Sequence, residues 1–291
     1  MQRPICSHKY FLEDLTCFSA LVPTNSNKMS TASDTERPTE KISMLCVTAF
    51  HDIGRGSWEG SLRHLRRTNE EYLSWFANLV KLPMDLVCFC DEPAATLVRE
   101  RTGFKNIYPY LEQDTLFRHV EREKEIMNSP SYQKHTGYHP TKPENTIAEY
   151  NMVNHSKTSI VRRASVMFPQ YSHYAWIDFG YLREEIIPNY IDWKPVATDK
   201  IVYASLREME LSTLQVFHDP DSPIQGSMFV LPKDLAAWYE KTYEVALLEY
   251  QDANIADDDQ VLAQQVMQRY PDFFKLTIFP HWFELLRICF K

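Results

Sequence analysis

Three short stretches of this sequence carry residue types that do chemistry. YAWIDFGYLR, Tyr174 to Arg183, ends an aromatic and apolar run on one carboxylate, Asp178, with Gly180 two residues on. IADDDQVLAQQV sets Asp257, Asp258 and Asp259 at the start of a helical pattern, and FPHWFE holds His281 between aromatics. An N-cap and the helix dipole account for one or two of the three acids. The third exceeds that need, and an acid within reach of a hydroxyl would serve as a general base. A lone histidine in an apolar run is ordinarily a core residue, but His281 folded beside Asp178 would suit a divalent ion on a diphosphate. GRGSWEG, with Gly54, Gly56 and Gly60, misses dinucleotide-loop spacing by one residue, which rejects a NAD site and leaves Arg55 as donor of a phosphate or base contact. The sequence has neither a nucleophilic serine elbow nor a phosphate-binding P-loop.

The elements that must hold these groups follow from hydrophobic spacing. MLCVTAF (44–50) reads as a buried first strand and MDLVCFC (84–90) as a second. Between them Ser57 is positioned to cap a helix with Leu62, Leu65, Tyr72, Phe76 and Leu79 on one face. Strand, helix, strand in this order predicts a largely parallel sheet with helices packed outside it. The polar, proline-bearing stretch from Tyr108 to Glu149 reads as an insertion or long mobile loop with some helix. Its His135 and His139 are four apart and read as surface histidines. SKTSIVRRASVMF (156–168) has helical spacing, and IVYASL (201–206) and SMFVLP (227–232) read as strands. Two helices close the pattern: one with Leu235, Trp238, Thr242 and Val245 on a face, the other with Leu262, Val266 and Tyr270, stopped by Pro271. In such a sheet ligands gather at the carboxyl ends of strands, which is where Asp178 falls.

Composition narrows the function classes. With 291 residues, 44% hydrophobic, 13% aromatic and seven glycines, the chain is globular and long enough for one large α/β domain or two small ones. A net charge of −8 argues against a broad nucleic-acid surface. The local cluster Arg63, Arg66, Arg67 reads as a solvated helix face. Six cysteines at 6, 17, 46, 88, 90 and 289 lack zinc-site spacing and read as reduced core thiols. No apolar run approaches the ~20 residues that cross a bilayer. The N-terminal stretch lacks a clean signal-peptide core, so a soluble, cytoplasmic protein without a membrane span is expected. Residues 24–43, rich in Ser, Thr, Asn and charge, read as a linker between a short arm and the main body.

Taken in order, VTAFHDIGR (47–55), YLSWF (72–76), HSK (155–157), WIDFG (176–180) and DDQVL (258–262) resemble the HtrL/YibB family, a group similar to A-type-fold (GT-A) glycosyltransferases. The resemblance runs from about Met44 to the C-terminus. It implies an α/β, GT-A-like fold with a mostly parallel central sheet flanked by helices, a single domain over 44–291 behind an arm of 1–43. It implies a hexosyl- or pentosyltransferase that moves a sugar from a nucleotide-diphosphate donor, a UDP-sugar, to a glycan hydroxyl, with Mn²⁺ or Mg²⁺. By the same resemblance Thr48, Ala49, Phe50 and Arg55 hold the nucleotide, Asp178 and Gly180 occupy the place of an Asp-x-Asp metal motif, and His281 completes the metal site. Asp258 or Asp259 takes the acidic position near the acceptor. Arg55 and Lys157, with the ion, would stabilise the departing diphosphate. Gly226 would let backbone approach the donor sugar, or simply make a turn. One departure matters: Gly180 has no side chain to ligate with, so Asp178 either binds an ion with His281 and waters or holds the ribose. Two other classes stay open, a non-catalytic nucleotide-sugar or glycan-binding protein of the same fold, and a sugar nucleotidyltransferase using Asp257–Asp259 around two metals.

Overall fold

The computed structural model describes residues 42–58, 66–132, 142–209 and 222–291. Its first apolar run is strand β1 (Met44–Phe50), buried along almost its whole length. A strand covered on both faces needs apolar residues at successive positions rather than alternating ones. β2 (Leu86–Cys90) pairs parallel to it and β3 (Ile107–Pro109) parallel to β2. On the other side of β1 lies β4 (His173–Ile177), also parallel. The sheet continues through β6 (Ile224–Pro232), β5 (Ile201–Ser205) and β7 (Phe274–Ile278), giving the order β3-β2-β1-β4-β6-β5-β7. Only β6 runs against the others. The expected α/β class with a mostly parallel central sheet is therefore the one the chain adopts.

Helices cover both faces. α1 (Asn69–Leu79) and α2 (Glu92–Thr102) pack on one face with Leu285, Leu286 and Cys289 near the C-terminus. α5 (Lys157–Met167), α6 (Ala236–Asp252) and α7 (Asp259–Arg269) pack on the other, beside α3 (Val120–Met127) and α4 (Ala148–His155). Among the described residues no helix is long and apolar enough to cross a membrane. Cys46, Cys88, Cys90 and Cys289 are buried free thiols.

Several elements depart from the sequence expectation. The helix after β1 starts at Asn69, capped by Thr68 with Glu71 in a reciprocal capping box, and Ser57 instead closes a 3-10 turn with its hydroxyl on the Gly54 carbonyl. Leu62, Leu65, Gly60, Arg63, His135 and His139 lie outside the described residues. The stretch from Tyr108 to Glu149 holds part of β3, all of α3 and the start of α4. On α6 the buried stripe is Ala236, Tyr239, Tyr243, Ala246 and Tyr250, one residue out of step with Leu235, Trp238, Thr242 and Val245. Tyrosine buries well when its hydroxyl finds a partner. Here Tyr239 and Tyr203 share a 2.7 Å hydroxyl contact, and Tyr243 meets His155 Nδ1 at 2.9 Å.

Candidate functional site

The chain leaves β1 on one side for β2 and β3, then returns on its other side as β4. Loops that diverge from neighbouring parallel strands open a crevice at their carboxyl ends. A cavity of about 550 Å³ sits there, lined from Ala49 to Ile53 after β1 and from Asp178 to Gly180 after β4. The reversed β6 brings its first residues to the same end, where the Asp178 N–H donates to the Ser227 carbonyl at 2.9 Å. Helix starts complete the wall, since Lys157 opens α5 and Asp259 opens α7. The floor is a ring stack in which Phe179 lies 4.5 Å from Phe50 and 4.1 Å from Phe76.

One side of the cavity is a charge cluster. The Lys157 ammonium donates to Asp259 Oδ2 at 2.8 Å and to the Gly226 carbonyl at 2.9 Å, and pairs with Asp178 Oδ1 at 3.2 Å. Three acceptors match the three protons of an ammonium. Trp176 Nε1 donates to the same Asp178 oxygen at 2.8 Å. Burial alone would lower the Lys157 pKa, but the carboxylates of Asp178 and Asp259 outweigh it and hold the ammonium above its ordinary range. Asp259 is pushed up by burial, an effect that Lys157 opposes and Asp178 reinforces. Gly226 is required for this closeness, because a Cβ there would come within 2.5 Å of Asp259 Oδ2.

The other side is cationic. Arg55 donates from Nη1 to the Tyr72 hydroxyl at 2.9 Å and lies 4.7 Å over the Tyr150 ring, while its buried Nε has no hydrogen-bond partner. Burial would lower the Arg55 pKa, but Tyr150 and Tyr72 raise it. Arg67 sits 5.7 Å over Trp75, and Arg183 lies 5.0 Å over Trp75 and 4.6 Å over Phe283. Burial first, then Arg67, lower the Arg183 pKa. Among the described residues neither Arg55 nor Arg183 pairs with a carboxylate. Aromatic faces hold such guanidinium groups in place while leaving their N–H edges for a ligand. Phe283 itself adopts a left-handed φ of 68°, its N–H donating to Gln225 Oε1 at 3.3 Å.

Of the residues singled out from the sequence, Ala49, Phe50, Arg55, Lys157, Asp178, Gly180, Gly226 and Asp259 line this one cavity. Thr48, Asp258 and His281 do not. Thr48 is fully buried within β1, where the pleat turns it away from the neighbouring Ala49 face. Asp258 caps α7, its Oδ1 accepting from the Gln260 N–H and its Oδ2 from Gln260 Nε2. His281 is exposed and contributes its carbonyl to Gln225 Nε2, while Trp282 and Phe283 beside it face the cavity. Arg67, read as part of a solvated face, lines the cavity, as do Arg183, Tyr72, Trp75, Tyr150 and Trp176. The signal for Arg183 lies in the aromatic run that it ends, YAWIDFGYLR.

The donor set does not fit a divalent ion. Among the described residues no three His, Cys, Asp or Glu side chains converge as metal ligands. Asp178 Oδ1 is already committed to Lys157 and Trp176, and Asp259 Oδ2 to Lys157. A second carboxylate at position 180 is excluded by packing, because a Cβ there would lie 2.8 Å from Trp75 Cε3 and 3.0 Å from Tyr72 Cδ1.

Comparison with known proteins places the chain among relatives. Protein HtrL of Escherichia coli (strain K12) is 27% identical over 270 residues, covering 86% of this chain and 93% of HtrL. Two solved structures show loose likeness. One is mouse xyloside xylosyltransferase 1 in its apo form, with TM-score 0.40, 10% identity and coverage of 81% of this chain and 84% of the other. The other is a glycosyltransferase involved in glycosylation of the major capsid of PBCV-1, with TM-score 0.37, 8% identity and coverage of 81% of each chain. Residues 42–291 match the model of a family described as bacterial protein of unknown function (HtrL_YibB). With all but the first 41 residues matched, this chain belongs to the HtrL_YibB family.

Proposed function

We propose that the chain is a glycosyltransferase that moves a sugar from a nucleoside-diphosphate donor, of the UDP-sugar class, to a glycan hydroxyl. The observation that carries this reading is the two-sided cavity, with guanidinium groups on one wall and the Lys157, Asp178 and Asp259 cluster on the other. In a chain of net charge −8, four cationic and three anionic side chains line this cavity, which favours an anionic ligand. Guanidinium forks suit the diphosphate. Carboxylates accept the hydroxyls of a sugar, and the exposed Trp282 ring offers a face for its apolar side.

In the transfer, the bond from the anomeric carbon to the β-phosphate oxygen breaks and its electron pair stays on the diphosphate. The acceptor oxygen forms the new bond to that carbon. Arg55 and Arg183 stabilise the charge that develops on the leaving group. In a transfer with inversion, Asp259 takes the acceptor proton, and the burial that raises its pKa makes it the better base. The nucleotidyltransferase reading finds less support, since Asp258 is spent on capping and the Asp257 Oδ1 accepts from the Asp258 N–H, leaving Asp259 as the acid of the three that lines the cavity.

The test is a panel of nucleotide sugars read by thermal stabilisation and by release of free nucleoside diphosphate. UDP-sugars should stabilise the protein and UMP should not. Asp259→Asn should keep stabilisation but slow UDP release by about 10²–10⁴-fold. Stabilisation without any UDP release, in wild type and variant alike, would establish the non-catalytic binder instead.

A further inference from the structure

Resting on the donor reading above, the geometry points to a site that takes its nucleoside diphosphate without a divalent metal ion, with Lys157 as the built-in cation. The first observation is occupancy. The Lys157 ammonium already stands among Asp178 Oδ1, Asp259 Oδ2 and the Gly226 carbonyl, with one acceptor for each proton. A divalent ion on Asp178 would be left the Oδ2 oxygen alone, beside an ammonium that repels it.

The second observation is packing. Position 180, two residues after Asp178, is filled by the edges of Tyr72 and Trp75 from α1, so no ligating side chain fits there. Those same residues do other work: Tyr72 accepts from Arg55, and Trp75 lies beneath Arg67 and Arg183. The space that a second metal-binding carboxylate would need is thus given to the platform that carries the guanidinium groups. The third observation is that Arg55 and Arg183 have no carboxylate partner among the described residues, and the Arg55 Nε is buried without an acceptor. A ligand must bring the charge that balances these guanidinium groups. Lys157 neutralises the carboxylates beside the sugar, and the arginines neutralise the diphosphate.

The experiment uses UDP as probe, titrated into the wild-type protein by calorimetry in EDTA and again in millimolar Mn²⁺. UDP affinity is expected to be the same in both within about twofold, and Mn²⁺ alone is expected to leave the thermal midpoint unmoved. A loss of UDP affinity of about tenfold or more in EDTA overturns the inference while leaving the donor reading intact. Failure of UDP to bind under either condition removes both. Lys157→Ala supplies a second arm, because it vacates a position between two carboxylates and a carbonyl. The variant is expected to gain thermal stabilisation from Mn²⁺ that wild type does not show. A folded variant that stays indifferent to Mn²⁺ counts against Lys157 standing in for a cation; if the variant does not fold, the wild-type titration decides.

Discussion

Carboxyl groups are buried in two regions of this protein, and opposite means keep them there. At the cavity, Asp259 faces a countercharge, the Lys157 ammonium at 2.8 Å. On α3, Glu123 is fully buried and meets only neutral amides, Asn151 Nδ2 at 3.1 Å and Gln251 Nε2 at 3.0 Å. Burial pushes the Glu123 pKa up to about 7; the two amides pull the other way, and Asp257 adds to the rise. One region compensates a charge with a countercharge, the other by taking up a proton. The difference separates a site made to keep charge next to solvent from a joint between α3, α4 and α6 where charge is only tolerated.

The largest expected effect breaks the first arrangement. Lys157→Ala leaves Asp259 and Asp178 without their cation and should cost about 3–5 kcal/mol, toward the lower value because Asp178 is 35% exposed. Urea denaturation measures it, and Lys157→Ala combined with Asp259→Asn should recover part of the loss.

The second prediction concerns pH. The folded Glu123 pKa, about 7, lies above its ordinary 4.5. Its contribution is therefore complete below about pH 4.5 and is lost as pH rises through 7, a change of up to about 3 kcal/mol. Glu123→Gln keeps the side-chain shape and one of the two acceptors without the titration. Its stability relative to wild type should climb between about pH 4.5 and 7, the window spanned by those two values, as measured by denaturation across that range. A parallel pair of curves would mean that folding leaves the Glu123 pKa unchanged.

A third substitution tests the platform between the regions. Gly180→Ala forces a Cβ into the Tyr72 and Trp75 edges and should cost about 1–3 kcal/mol without altering the pH slope. The smallest effect is a control: Thr68→Ala removes the cap of α1 and should cost about 1 kcal/mol at every pH.

Much of this architecture is legible in the amino-acid sequence. β1, β2, β4 and the helix that begins at Lys157 show as apolar runs or helical periods, and Asp178 follows from lying where one such run stops. Other features are not, for identifiable reasons. β3 has three residues and β7 carries polar and half-exposed positions, so neither forms a run. The direction of β6 leaves no local trace, yet it decides that Gly226 and Asp178 meet. Hydrophobic spacing sets the α6 stripe one residue early because tyrosine looks polar until its hydroxyl is paired. Lys157 and Asp259 are separated by 102 positions, and that Thr48 points away from the cavity which Ala49 lines needs the pleat of β1 to be known. Residue type alone points to His281, while the fold turns its neighbours Trp282 and Phe283 inward instead.

Three of the six tryptophans, Trp75, Trp176 and Trp282, line the cavity, and cationic groups lie over two of them. The molecule therefore carries its own optical reporter. Any ligand that draws the guanidinium groups off Trp75 will change its emission, so occupancy of this cleft can be followed by intrinsic fluorescence in unlabelled protein, with Trp75→Phe marking which indole is speaking.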